Sequence, residues 1–347
     1  DFGSTLAENK GTDADTVDMV QAFEAKGYSL NPTVQQMYEG MKEDFKSEAV
    51  LPWGVVTYYR ATAPAVGGTF TSLEPSQEKL DKAEPTWKDS MNDYNVMIVT
   101  IARAAGENAN YTPGEEGVNP EQNLNQADPL GLSDTERATI DAAVKAKAEN
   151  GGKVIVLLNN ASAMEIDELK NNDGIDAMLE VGIPGGYGFY GVADVLSGDA
   201  NPSGHLADTY AVDNSASPAA QNYGDYEWTN ADSDYSINSE IVEAESIYTG
   251  YKYYETRYAD TVLGQGNASD SVGSSTGGAW TYNSEVSYPF GYGLSYTTFT
   301  QTLDSLNVDL ENKTVTAEVT VTNTGDVAGK DVVQLYASTP YREYDKE

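Results

Sequence analysis

Val96-Met97-Ile98-Val99-Thr100-Ile101-Ala102, followed further on by Val154-Ile155-Val156-Leu157-Leu158, decides the fold. Both runs are apolar throughout instead of alternating, which is the pattern of strands covered on both faces. Between them stands Ser133-Asp134-Thr135-Glu136, a capping box with Ser at the N-cap and Glu three residues on. It predicts a helix through about Glu149, stopped by Asn150-Gly151-Gly152. A short helix is expected over 163–170, a third and shorter strand over Ala177–Val181, and a helix over Gly191–Leu196. Strand, helix, strand, helix, strand is the order of a mostly parallel α/β fold.

Toward the amino end, Asp15 to Met41 predicts two short helices, the first ended by Lys26-Gly27 and the second opened by Asn31-Pro32. Tyr58 to Lys82 turns to Gly, Ala, Ser, Thr and Pro and reads as a connector. Toward the carboxyl end, residues 213–285 are rich in Asn, Ser, Asp, Gly and Tyr. Polar loops of this length are uncommon unless they serve a function or pack over another domain. After Phe299 the period becomes two: Val315, Ala317, Val319 and Val321 alternate with Thr316, Glu318, Thr320 and Thr322. A turn at Asn323-Thr324-Gly325-Asp326 and a further run, Val332-Val333-Gln334-Leu335-Tyr336, complete the opening of an all-β sandwich. Three strands cannot close a sandwich, so the remaining strands are expected beyond Glu347.

The chain has 347 residues, enough for about two domains. Its formal charge of −35 argues against nucleic acid and anionic membranes as partners, because phosphate would repel it. Charge of this size serves solubility and is compatible with a neutral substrate such as a sugar. No apolar run approaches the roughly 18 residues of a membrane span. The first residues show no basic n-region or apolar h-region, so no signal peptide is visible. Cysteine is absent, which excludes disulfides and thiolate metal sites but does not decide the compartment. The single histidine, His205, makes neither a metal site nor a triad and reads as a structural contact. Pro184-Gly185-Gly186-Tyr187-Gly188 lacks the Lys-Ser/Thr of a phosphate loop and reads as a tight strand-to-helix turn. Asp225, Asp232 and Asp234 do not match calcium-loop spacing. Neither a metal nor a cofactor is called for.

Four stretches in order resemble glycoside hydrolase family 3. Arg103-Ala104-Ala105-Gly106-Glu107 matches its R-x-x-G-E loop, and Asp194 to Leu206 its ADVL-x-G-x-x-NPSG-x-L segment. Glu245 to Tyr254 matches EGIYVGYRYY, and Tyr288 to Tyr296 matches YPFGYGLSY. Val319 to Tyr336 resembles the start of the fibronectin type III-like domain that follows them in the family. The resemblance implies a layered α/β/α sandwich over residues 1–295 and an incomplete fibronectin type III-like β-sandwich over 296–347.

The family pairs such a sandwich with a barrel whose Asp, in an SDW-type motif, is the nucleophile, while a Glu on a sandwich loop is the acid/base. No Ser-Asp-Trp occurs here. The expectation is a member with permuted domain order and the barrel downstream. This chain alone is then expected to be inactive. Its implied partners are that barrel domain and a β-glucoside or small oligosaccharide.

Retaining glycosidases need two carboxyl groups about 5–5.5 Å apart, one protonated and one ionised. A carboxyl keeps its proton near neutral pH through burial or a neighbouring anion. Glu107 follows a buried strand on the loop at its carboxyl end, where open α/β sheets place functional groups. Gly106 lets the backbone turn sharply before it. Glu107 is therefore the candidate acid/base, with Glu115 and Glu116 as rivals on the same loop. The family often continues G-E-G-x-D-R, whereas here the sequence reads Glu107-Asn108-Ala109-Asn110-Tyr111. Arg103 reads as a loop organiser, with substrate binding through direct sugar contact as the alternative. Glu245 reads as a buried structural pair on a packed strand, with Lys252 or Arg257 opposite. The second function class is a non-catalytic sandwich module that binds a barrel partner or a glycan.

Overall fold

The computed structural model describes residues 16–41, 47–51, 54–58, 74–103, 128–224, 226–227, 239–240, 242–264 and 272–338. The chain forms two compact units, Asp1–Ala200 and Asn201–Glu347.

The first unit is mixed α/β. Its elements are α1 (Met19–Ala25), α2 (Pro32–Gly40), β1 (Ser47–Leu51), β2 (Gly54–Tyr58), α3 (Gln77–Ala83) and α4 (Trp87–Ser90). They continue with β3 (Val96–Ala102), α5 (Asp134–Asn150), β4 (Lys153–Asn159), α6 (Asp167–Lys170), β5 (Ala177–Glu180) and α7 (Gly188–Ser197). Strands β3, β4 and β5 form a parallel sheet in that order, with Val96 beside Lys153 and Ala102 beside Asn159. Strands β1 and β2 form a separate antiparallel pair.

Strand β4 is central, and Val154, Val156, Leu157 and Leu158 are buried on both sides of it. This is why its sequence does not alternate. Ala22 and Phe23 of α1 and Ala193 of α7 form a core against which Ile98 of β3 packs. Helix α5 contacts β3 and β4. Its Ser133 Oγ accepts from Glu136 N at 3.2 Å, and Glu136 Oε2 accepts from Ser133 N at 2.8 Å, so two orphan donors of the first turn are met reciprocally. Gly151, at φ 72°, ends the helix in the left-handed region that glycine enters without strain.

Two expectations for this unit change. The stretch Tyr58–Lys82 contains the start of α3, capped by Ser76 Oγ on Lys79 N. Only Leu80 of that helix is buried, so it has no periodic stripe to reveal it. The expected helix over 163–170 shortens to α6.

The second unit contains β6 (Tyr210–Ala211), α8 (Pro218–Asn222), β7 (Tyr226–Glu227), β8 (Ser239–Glu240), α9 (Tyr251–Val262), α10 (Tyr282–Glu285) and β9 (Val286–Tyr288). Its long antiparallel hairpin is β10 (Phe299–Asp309) with β11 (Thr314–Asn323). The core joins Ala211, Tyr253, Tyr254, Trp280 and Val286. In β10–β11, Leu303 pairs with Val319, Leu306 with Ala317 and Val308 with Val315. Directly opposed residues share a face. Leu303, Leu306, Val308 and Val315 on that apolar face are exposed.

Here too the structure corrects the sequence. Val332–Tyr336 is not a strand. Side chains hold it instead: Gln301 Nε2 donates to Asp331 Oδ2 at 2.8 Å and to Val332 O at 3.0 Å, and the Tyr336 ring meets Tyr251 edge-on. Propensity alone does not make a strand without a backbone partner. Tyr251–Tyr254 lies in helix α9, not on a packed strand. Tyr253, Tyr254, Arg257 and Asp260 are its buried residues, a spacing of three to four that marks a helix face.

Candidate functional site: the carboxyl edge of the parallel sheet

Strand β3 ends at Ala102, and Arg103 N continues the ladder by donating to Asn159 O at 3.2 Å. The Arg103 side chain turns into the protein and is 1% exposed. A guanidinium has five N–H donors and no acceptor. Here Nε donates to Pro129 O at 2.8 Å, and Nη1 to Ala102 O at 2.9 Å and Glu136 Oε1 at 2.6 Å. Nη2 donates to Gly131 O at 2.6 Å and Glu136 Oε2 at 2.9 Å. All five donors are used within the chain. Two form a bidentate fork on a carboxylate, the geometry for which Arg and not Lys is suited. Glu136 is the same residue that caps α5, so one buried carboxylate holds both the helix start and the end of β3.

The neighbouring strand exits are also tied down. Asn159 Nδ2 donates to Gly182 O at 2.5 Å, and Gly182 N donates to Glu180 Oε1 at 2.7 Å. Gly182 has φ 57°, which favours glycine at this turn. Asn160 is buried, and its Nδ2 has no acceptor among the described residues. A buried donor left unpaired costs about 1–3 kcal/mol. The carboxyl edge thus gathers Arg103, Glu136, Asn159, Asn160 and Glu180. Sequence reasoning singled out Arg103 for the site and Glu136 only as a helix cap, and passed over the other three. The signal for the two asparagines was present in Leu157-Leu158-Asn159-Asn160, an apolar run that turns polar where the strand ends.

The amino edge of the sheet is a clamp of another kind. Asp176 accepts from Val154 N at 2.9 Å and pairs with Lys147 at 2.8 Å and Lys153 at 3.0 Å. The Lys147 ammonium, then the Val154 N–H and Lys153, hold the Asp176 carboxyl well below the usual carboxylate range.

Glu107, Glu115 and Glu116 lie outside the described residues, as do Asp232, Asp234 and Asp225. The three glutamates belong to 104–127, between the described residues Arg103 and Asp128. Among the described residues no cluster of three or more His, Cys, Asp or Glu side chains could hold a metal, and no helix is long and apolar enough to cross a membrane.

The other quoted motifs build structure. Lys26 Nζ pairs with Asp194 and, at 2.7 Å, with Asp199; hydrogen bonds to Asp194 first and then Asp199 raise the lysine's pKa. Asn201 Oδ1 accepts from Ser295 Oγ at 2.9 Å and Tyr296 N at 2.7 Å, and its Nδ2 donates to Ala328 O at 2.9 Å. A Cβ at Gly293 would run into Gly204 O and the His205 ring, which explains that glycine. His205 Nε2 lies 3.8 Å from Asp331. Glu245 is half-buried and accepts from Asn222 Nδ2 at 3.2 Å, in place of the expected Lys252 or Arg257 partner.

A three-stranded parallel sheet covered by helices, with polar residues collected at its carboxyl edge, defines an α/β domain. The family model described as "Glycosyl hydrolase family 3 C-terminal domain" matches residues 10–296. The chain belongs to glycosyl hydrolase family 3. It is 34% identical over 217 residues to beta-glucosidase A of Butyrivibrio fibrisolvens, covering 58% of this chain and 22% of that protein. It is 29% identical over 267 residues to the beta-glucosidase of Ruminococcus albus, covering 76% of this chain and 22% of that protein. The chain therefore spans less than a quarter of either relative. Among solved structures it resembles beta-glucosidase 3B of Thermotoga neapolitana in complex with glucose, with a TM-score of 0.58 and 25% identity over 93% of this chain and 37% of that one.

Proposed function

We propose that this chain supplies the acid/base half of the active site of a retaining β-glucosidase, with Glu107 as the acid/base and a barrel domain supplying the nucleophile. The observation that supports it most is the anchoring of β3's exit. Arg103, four residues before Glu107, is locked by five hydrogen bonds at the carboxyl edge of the sheet. A loop that must deliver a carboxyl to within about 5–5.5 Å of a partner carboxylate needs a fixed origin. The β-glucosidase names of the relatives point to a β-glucoside or small oligosaccharide as substrate. Since the Arg103 donors are all used internally, we assign it to holding the loop and not to touching sugar. In the same proposal, residues 1–295 form the layered α/β/α sandwich. The hairpin β10–β11, with its exposed apolar face, opens a fibronectin type III-like β-sandwich.

The step assigned to Glu107 is proton donation to the glycosidic oxygen as the bond to the anomeric carbon breaks and the nucleophile carboxylate attacks that carbon. In the second half Glu107 takes a proton from water as its oxygen displaces the nucleophile. In the full-length enzyme, Glu107→Gln should lower turnover of substrates with poor leaving groups by about 10²–10⁴-fold, the usual worth of general acid/base catalysis. Glycosylation by substrates with activated leaving groups should change far less. Equal loss on both would contradict the assignment.

A further inference from the structure

We propose that the buried Arg103–Glu136 pair is a positioning device for the acid/base, fixing both ends of the segment 104–127 to the sheet and to the first turn of α5. This rests on the assignment of Glu107 made above and adds Glu136 to the residues that serve the reaction.

The geometry points to it through what the pair touches. Arg103 is the last described residue before the segment, and Asp128–Gly131 are the first after it. The guanidinium bonds Ala102 O on the near side and Pro129 O and Gly131 O on the far side, at 2.9, 2.8 and 2.6 Å. Both sides also bond the chain that runs from β4 to α6: Arg103 N donates to Asn159 O, at the end of β4, at 3.2 Å, and Leu130 O accepts from Glu165 N, just before α6, at 3.0 Å. Glu136 orients the guanidinium by a two-bond fork while its own position is set by the capping box of α5. A single planar group thus holds the start of the segment, its end and a helix terminus in one register.

An ion pair kept only for stability has no need of this arrangement. A buried pair is often replaceable by apolar side chains of similar volume at no loss. Apolar side chains cannot bond Pro129 O and Gly131 O, so the ends of the segment would no longer be joined. A lysine offers a point charge in place of a fork and cannot reach all five acceptors.

The test uses the full-length enzyme with phenyl β-glucoside, which has a poor leaving group, and 2,4-dinitrophenyl β-glucoside, which has an activated one. In Arg103→Lys and Glu136→Gln, kcat/KM on the phenyl substrate should fall about 10²-fold, the cost of a misplacement near 1 Å, while the burst on the dinitrophenyl substrate should change less than about threefold. The double variant Arg103→Met/Glu136→Gln removes the buried charge and keeps the capping amide. It should fold, as judged by its melting curve, and should retain the selective loss on the phenyl substrate. Equal losses on both substrates, or wild-type activity in the folded double variant, would overturn the proposal. Glu107→Gln measured alongside separates the two failures. A selective loss there with none in the pair variants rejects the positioning role alone. No selective loss in Glu107→Gln rejects the assignment beneath it.

Discussion

Replacing Arg103 by Met should unfold the first unit earlier by a calculable amount. The substitution leaves the Glu136 carboxylate, 4% exposed, without its guanidinium, while the Ser133 N–H still donates to it. Breaking a buried pair by removing one partner costs about 3–5 kcal/mol, because the other charge stays in the low-dielectric interior. For a unit of this size each kcal/mol moves the melting midpoint by about 2–4 °C. The expected drop is therefore about 6–20 °C by those two figures combined. Adding Glu136→Gln removes the stranded charge while keeping the reciprocal bond of the capping box. The double variant should recover much of the loss, with a coupling energy of about 2–3 kcal/mol, near the upper end for residues in contact. Calorimetry and urea titration of the four proteins at neutral pH measure it. A drop of less than about 3 °C for Arg103→Met, or additive losses in the double variant, would show that the pair is not the buried, mutually dependent couple argued from these contacts.

Other consequences can be checked separately. The Asp176 carboxyl is held low by Lys147, Val154 N–H and Lys153. Its folded pKa lies below the unfolded value of about 3.9, so its contribution is full above that value and is lost as pH falls below it. Asp176→Asn should thus lower the melting midpoint at neutral pH, and its gap from the parent should narrow below about pH 4; a gap independent of pH would contradict this. The exposed apolar face of Leu303, Leu306, Val308 and Val315 predicts self-association of the 347-residue chain by light scattering, reduced by Leu306→Glu. A monomer with one cooperative transition would count against it. Purified without a barrel, the chain should hydrolyse no aryl β-glucoside, because one carboxyl cannot fill both roles. Turnover surviving removal of host enzymes would refute that.

The parallel sheet was legible because its strands carry continuous apolar runs and its main helix carries a full capping box. Ser133, Glu136 and Gly151 occupy the positions the sequence assigned to them. What could not be read were features set by tertiary contact. The helix over Tyr251–Val262 is rich in tyrosine, which favours strands, and only burial of Tyr253, Tyr254, Arg257 and Asp260 along one side explains it. Val332–Tyr336 has the composition of a strand but is held by the side chain of Gln301. At the candidate site, Arg103 was legible from its place in the R-x-x-G-E stretch, but its burial and its bonds to Pro129 O and Gly131 O were not. Its partner Glu136 was legible only as a cap, since nothing in a linear sequence brings residue 136 to residue 103. Asn160 and Glu180 were passed over because they belong to no motif. Their positions at strand exits become meaningful only once the register of β3, β4 and β5 is known.

The most direct measurement is azide rescue of Glu107→Gln, Glu115→Gln and Glu116→Gln in the full-length enzyme on an activated aryl β-glucoside. Without its base, the Glu107 variant should accumulate the glycosyl-enzyme, and azide, which attacks without base assistance, should restore turnover and yield the glycosyl azide. Azide should do nothing for the other two. Rescue of Glu115→Gln or Glu116→Gln in place of Glu107→Gln would move the role to that residue, and undiminished activity in all three would remove the acid/base from this loop.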